Sequence, residues 1–425
     1  MSEEKSELEK EINLISKRYH YKTSLIKHWI EDFGKVKTEE FLQFSKSPYS
    51  SLWVQVNTSK IDIDSLFDIF EELEFDVIKN PLFDDILEVK VNQFDLSDYN
   101  KNYPVIKVDR ESAQSIAMGR EVFSYGVTGY EFLEKGENVE IRDAANNLIA
   151  IGKSEVSSKE IPSLKLNIVA KVIKSWGFEP PITELSYYRK GFYNILTPTQ
   201  IFGVKSMYFE NNDNILVLSV DKGDTALYIA ERTNHKIPIT VVAQNRNHLR
   251  AIQRQIRRVK TKAIRVISAP FLSFIQDVHT IKYTSVYLEL QNSRTAVLPT
   301  FSSNLNFPTL RKMVSKQKKV TDLLYKCLVP NASISLITHS IDTLENELLF
   351  NHIKSKSYHE PQAFPPEIRE LQKNGKIGYR DYLDERIIDD SFAHKSSTAF
   401  IDPIDIKNTG GYLMKYKFAL KKKYI

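Results

Sequence analysis

The sequence predicts an α/β protein whose last two thirds form a doubly wound sheet, preceded by a small α+β unit and a small β-barrel. Three observations predict it. From residue 164 onward, short apolar β-branched runs alternate with helical stretches. Between 104 and 157, short strands are separated by glycines at 119, 126, 129, 136 and 152, in a chain with only 14 glycines. Ahead of these, amphipathic helical periodicity alternates with strand-like runs. At 425 residues the chain is too long for one ordinary core, and 42% apolar residues allow each part its own.

Residues 7–45 carry helical periodicity, with Leu8, Ile12 and Ile15 on one face. Residues 52–57 read as a strand, and 61–75 as a helix with Ile63, Leu66, Phe67, Phe70 and Leu73 on one face. Residues 86–91 read as a second strand, and this α+β unit is expected to span 1–98. Dense glycine marks the tight turns of the barrel, expected at 99–158, and the polar stretch 154–163 reads as a linker. The sheet domain is expected at 164–425, with strands at 215–220, 238–243, 263–268, 285–290 and 332–338. In doubly wound sheets ligands sit beyond the carboxyl ends of the strands. That singles out the loops 219–225, 244–247, 289–294 and 338–343.

Composition excludes several classes. No run approaches the roughly 18 apolar residues of a membrane span, and the acidic, polar start is unlike a secretory signal. Cys327 is the one cysteine, so a disulfide framework and multi-cysteine zinc sites are excluded and no metal site is expected. A cytoplasmic location is the expectation. The net charge of +5 is modest, but base concentrates in 246–265, 311–319 and 415–423 while acid gathers in the first hundred residues. Such asymmetry points to a polyanion bound by the later part.

The helix after the second strand of the sheet carries Arg246, Arg250, Arg254, Arg257 and Arg258, then Lys260 and Lys262, with no acid among them. At about 100° per residue, Leu249, Ile252, Ile256 and Val259 fall roughly opposite the arginines. Guanidinium forks suit phosphates, so this stripe, with Arg311 and Lys312, is expected to contact the phosphates of a polyanionic partner. The plainer alternative is a solvated outer face. Lys316, Lys318 and Lys319 extend the second cluster, and Lys421–Lys423 end the chain. Tyr187, Tyr188, Phe192 and Tyr193 read as core, with base stacking the sharper alternative.

The loops carry motifs. Asn214-Ile-Leu-Val217-Leu-Ser219-Val-Asp221-Lys222-Gly223-Asp224-Thr225 aligns with D-V-L-D-M-C-A-A-P-G-G-K-T, and Val242-Ala243-Gln244-Asn245 with V-A-x-D. Leu288-Glu289-Leu290-Gln291-Asn292-Ser293-Arg294 aligns with L-D-A-P-C-S-G. Ile337-Thr338-His339-Ser340 followed by Glu345-Asn346-Glu347 aligns with S-T-C-S followed by E-N-E. Thr409-Gly410-Gly411-Tyr412-Leu413-Met414 is similar to D-G-F-F-I-A, and Gln55-Val56-Asn57-Thr58 to R-V-N-T. In this order the motifs resemble the NOP/Sun (RsmB-type) RNA 5-methylcytosine methyltransferases. Residues 104–157, with Gly119-Arg-Glu-Val-Phe-Ser-Tyr-Gly126 and Ile149-Ala-Ile-Gly152, resemble a PUA domain, a small RNA-binding barrel. The resemblance implies a Rossmann-like methyltransferase sheet, and an archaeal or eukaryotic source.

The resemblance also implies where this chain departs. In the family one cysteine attacks carbon 6 of the target cytosine and a second helps release the product; here these positions are His339 and Asn292. Nucleophilic addition of that kind needs a thiolate. Glu289 stands where an aspartate contacts the cytosine ring. The cofactor pocket, at Ser219, Asp221, Lys222, Gly223, Asp224, Thr225 and Asn245, keeps one of two glycines and has a neutral amide where a carboxylate would meet the ribose. The plain reading of Asp221 and Asp224 is turn formation; the sharper one is a carboxylate pair for a metal or acid–base work. The expectation is an RNA-binding pseudo-methyltransferase acting on transfer or ribosomal RNA, with the ribosome or an active paralogue as further partners, no DNA, and no cofactor. The alternatives are an S-adenosylmethionine-dependent RNA methyltransferase with altered chemistry, and a protein-interaction scaffold.

Overall fold

The computed structural model describes residues 2–96, 102–277, 281–300, 305–378, 380, 382, 383, 387 and 392–419. The expected basic tail Lys421–Lys423 lies outside the described residues. The chain divides into two compact units, one of 1–51, 90–180 and 297–307, the other of 52–89, 181–296 and 308–425.

In the first unit, helices Ser2–Tyr19, Thr23–Phe33 and Lys35–Phe44 account for the early helical periodicity. A six-stranded sheet follows, in the order 122–123, 168–175, 148–154, 138–142, 105–108, 127–130. Ile106, Val108, Val139, Ile141, Ile149 and Val169 fill its core. Strand Ile168–Ser175 pairs with 148–154, so the barrel runs beyond the expected boundary at 158. The polar stretch 154–163 is the connection into that strand. Polar composition marks a loop and is silent about whether a domain ends there.

The second unit corrects the expected self-contained 1–98 unit. Strands 51–56, 86–90 and 77–79 do form a sheet, but its fourth member is Tyr193–Leu196, with Trp53 opposite Leu196 and Val56 opposite Tyr193. Trp53 and Ile86 join one hydrophobic core with Phe202, Ile229 and Ile337.

The main sheet of this unit comprises β1 (Ile215–Ser219), β2 (Ile239–Ala243), β3 (Ile264–Ser268), β4 (Tyr283–Glu289), β5 (Leu328–Thr338), β6 (His359–Pro361), β7 (Thr398–Ile401) and β8 (Gly411–Phe418). Its order is β3-β2-β1-β4-β5-β8-β6, with β7 also paired to β8. The first five strands are parallel and β8 is antiparallel to β5. β1 and β2 are buried at every position, which explains their unbroken apolar runs. Helices α1 (Asp224–Arg232), α2 (Arg246–Val259), α3 (Phe307–Leu323) and α4 (Glu347–Lys354) are the ones that bear on the site. Strand order turns back between β1 and β4, a topological switch point, where Ser219 lies opposite Glu289.

One buried charge in this sheet has a measurable consequence. Lys415 on β8 is fully buried, its Nζ donates to the Ser206 carbonyl, and it sits 4.3 Å from the Tyr208 ring centroid. Burial pushes its pKa down from 10.5 to about 7. A depressed lysine leaves stability intact above the unfolded value and removes it as pH falls toward the folded one. Lys415→Met is therefore expected to raise the Tm at pH 6 by several degrees, and by clearly less at pH 9. Equal shifts at both pH values in a thermal melt would refute the assignment.

Candidate functional site

A cavity of about 660 Å³ opens at the switch point. Its walls include Asp221, Lys222, Asn245, Glu289, Asn292, Arg294 and His339. The structure thus brings together expected residues from all four loops, while Ser219, Gly223, Asp224 and Thr225 do not line the cavity. Each is placed by a strand end or a helix start.

The loop after β1 is closed on itself. Asp221 Oδ1 accepts the Gly223 N–H at 2.7 Å and Oδ2 the Thr225 N–H at 3.0 Å. These are amides at the start of α1, where donors lack intrahelical partners and anions are favoured. The chain's own carboxylate fills that role, as a turn former does. Burial, then the Glu289 charge, raises the Asp221 pKa. Burial and Asp221 push Asp224 up to about 7. Gly223 begins α1 in the left-handed region at φ 100°, and a Cβ there would meet Ile252 at 3.2 Å. Backbone conformation and helix packing thus require this glycine without any ligand. His248 pins the loop: Nε2 donates to the Asp221 carbonyl at 2.6 Å, while Nδ1 accepts the Gln244 N–H at 3.2 Å.

Asn245 caps α2, its Oδ1 accepting the His248 N–H at 2.9 Å. The oxygen expected to meet a ribose thus spends one of its two lone pairs on the helix. Glu289 is buried and held by Ser219 Oγ at 2.8 Å and Gln200 Nε2 at 3.4 Å, with His339 Nε2 3.4 Å from its other oxygen. Burial opposes its charge, but His339, Ser219 and Gln200 outweigh it and hold the carboxyl below its usual range. His339 Nδ1 faces the Gly410 carbonyl at 3.3 Å. Both ring nitrogens are thus aimed at acceptors, and neither presents a lone pair to the cavity. Asn292 donates from Nδ2 to the Leu290 carbonyl at 2.9 Å and accepts the Arg294 N–H at 3.0 Å. Ser340 Oγ pairs with Ser293 Oγ at 2.9 Å, so no Ser–His pair forms at 339–340.

The Glu345-Asn346-Glu347 motif braces these loops. Glu345 accepts the Ser293 N–H at 3.0 Å and Gln317 Nε2 at 3.0 Å. Asn346 Nδ2 donates to the Ser340 carbonyl at 2.8 Å. Glu347 pairs with buried Arg380, a residue that no sequence signal pointed to. Cys327 is remote from all of this. It precedes β5, whose 11 residues at about 3.3 Å each place it at the opposite end of the sheet from His339. Its thiol donates to the Leu324 carbonyl, and burial raises its pKa to about 12. Among the described residues, no group of three or more His, Cys, Asp or Glu is placed to hold a metal.

Arg246, Arg250, Arg254 and Arg257 are exposed on α2, whose Ile252 and Val259 are buried and whose Leu249 and Ile256 pack on the core. Lys260, Lys262, Arg311 and Lys312 are also exposed. Arg258 departs from the expectation. It turns inward, donating to the carbonyls of Tyr188 and Tyr193 at 2.9 Å each, and lies 4.1 Å from the Tyr188 ring centroid. It is a half-buried packing residue, and Tyr193 beside it is fully buried.

S-adenosylmethionine, implied by the sequence resemblance, finds poor provision here. Asp221 already takes the Gly223 and Thr225 amides at the start of α1, and Asn245, whose oxygen also caps α2, is a neutral amide where a carboxylate would accept more strongly from a ribose.

Residues 104–175 match the PUA domain family. A tRNA (cytosine(72)-C(5))-methyltransferase of Pyrococcus horikoshii is 21% identical over 237 residues, covering 55% of this chain and 61% of that protein. The crystal structure of NSun6 from Pyrococcus horikoshii with SFG superposes with a TM-score of 0.82 at 17% identity, over 95% of this chain and 100% of that one. A methyltransferase homologue from the same organism gives a TM-score of 0.61 at 12% identity, over 96% and 99%. The fold is therefore the Rossmann-like methyltransferase fold preceded by a PUA domain, and over the aligned 237 residues the chain is similar to a tRNA C5-methyltransferase.

Proposed function

We propose that this chain binds structured RNA, of the transfer-RNA kind, and transfers no methyl group to cytosine C5. One observation carries the reading. At the two positions where the family would place thiols, Asn292 is engaged by Leu290 and Arg294, and His339 stands between Gly410 and Glu289. Neither offers a nucleophile, and the only thiol is buried at the far end of the sheet. The PUA domain and the exposed arginines of α2 support RNA as the partner. Calorimetric titration with S-adenosylmethionine, beside RNA titrations at several salt concentrations, tests it. The expected result is no cofactor binding at millimolar concentration, with RNA affinity falling linearly in log–log against salt. Micromolar binding of S-adenosylmethionine would overturn the proposal.

A further inference from the structure

A second cavity, of about 700 Å³, opens at the other end of the same sheet. Leu328, which begins β5, lies in its wall, and His339 follows the far end of that strand. The 11 residues of β5 put roughly 30 Å between the two. Doubly wound sheets take their ligands at the carboxyl ends of the strands. This cavity lies at the amino ends of β4 and β5, so the ordinary site of the fold does not account for it.

Its volume falls within the roughly 300–1,000 Å³ of a small-molecule site. The walls are mainly Leu323, Leu328, Val329, Tyr325, Tyr358 and Phe418. Tyr325 is 39% exposed, so a large ring is left in water that an apolar occupant would displace. The Tyr325 ring centroid lies 5.3 Å from that of Tyr358 and 6.3 Å from that of Phe418. At these contact distances no flat ring enters between them, and only their outer faces are on offer. Beside three aliphatic side chains, such a wall suits a flexible hydrocarbon chain better than a stacked base.

Two charged side chains reach the cavity, Asp322 and Lys282. Asp322 is engaged: its Oδ1 lies 2.9 Å from His352 Nε2 and 3.5 Å from Lys356 Nζ. Its carbonyl accepts the Tyr358 hydroxyl at 3.2 Å, which fixes that ring in the wall. Lys282 is exposed and donates to the Lys326 carbonyl. An ammonium carries three protons, so it keeps donors for a ligand. The charge left to meet an occupant is therefore positive, and an anionic oxygen is its strongest partner.

We infer that this cavity binds an acyl carboxylate, its chain against the apolar wall and its carboxylate at Lys282.

Calorimetry on the full-length chain tests it, with dodecanoate, decanoate and neutral decanol, each below its micellar or solubility limit. Dodecanoate is expected to bind as a single molecule. Decanoate, two methylenes shorter, is expected to bind about tenfold more weakly or worse. Decanol is expected to bind about tenfold more weakly than decanoate, for want of the charge-assisted contact. Lys282→Met is expected to abolish the preference for decanoate over decanol without a marked fall in Tm, since the side chain is exposed. Absence of dodecanoate binding, uptake of many molecules by each chain, equal affinity for decanoate and decanol, or a preference that survives Lys282→Met overturns the inference. Each of these results leaves the RNA-binding proposal standing, because none of these residues belongs to α2 or to the cleft at the switch point.

Discussion

Replacing Arg250, Arg254 and Arg257 together by glutamate is expected to weaken RNA binding by about 100-fold or more near 100 mM salt, and to flatten its salt dependence by two to three units of slope. All three project from the exposed face of α2. Each substitution removes a guanidinium and adds a charge that repels phosphate, so the effect exceeds simple loss of three contacts. Arginine contacts to phosphate set affinity with little regard to sequence, so different RNAs should suffer alike. The fold should tolerate the change. Glutamate is a good helix former, Ile252 and Val259 on the buried face are untouched, and the Asn245 cap is retained. One mild cost is foreseeable, since Glu at 257 lies in the last turn near the negative end of the helix dipole. A thermal melt separates that cost from lost binding. Unchanged affinity in a variant that melts normally would leave the stripe as no more than a solvated face.

How much of this was legible beforehand depends on the range of the interaction. The five parallel strands were visible because β1 and β2 are buried on both faces and so read as continuous apolar runs. The cap at Asn245 and the turn at Asp221 act over two to four residues, and their residue types announce them. Pairing of 51–56 with 193–196 left no trace, since periodicity fixes which side of a strand is buried and says nothing about its neighbour. Arg258 was misread for a related reason. It lies on the flank of α2, and only the fold reveals that the carbonyls of Tyr188 and Tyr193 wait beside it. The barrel's last strand was missed because a polar stretch precedes it. The motif positions were found in order, but whether a polar residue there faces a ligand or its own backbone is a matter of geometry. Asn292 looked like a lost cysteine and is also the clamp on Arg294.

Arg380→Met is expected to destabilise the protein by about 3–5 kcal/mol, the cost of leaving a buried charge without its partner. At roughly 2–4 °C per kcal/mol, that is a fall of about 10 °C in Tm. Arg380 and Glu347 have side chains only 1% and 4% exposed. The guanidinium donates to Glu347 through Nε at 2.8 Å and again through a second nitrogen, a bidentate geometry that lysine cannot copy. It also donates to the Ile341 carbonyl and stacks 4.4 Å from the Phe400 ring centroid. Glu347 opens α4, and the residues before it hold the Ser293 and Ser340 loops. Arg380 therefore ties the turn after β5, which carries His339, to β7. Methionine keeps much of the packing volume, so the loss isolates the unpaired carboxylate. Replacing both partners, Arg380→Met with Glu347→Leu, is expected to recover most of the stability, because apolar substitutes for a whole buried pair are often neutral. A single variant that melts within about 2 °C of the parent, or a double variant as unstable as the single, would show that the pair is not the brace of this turn.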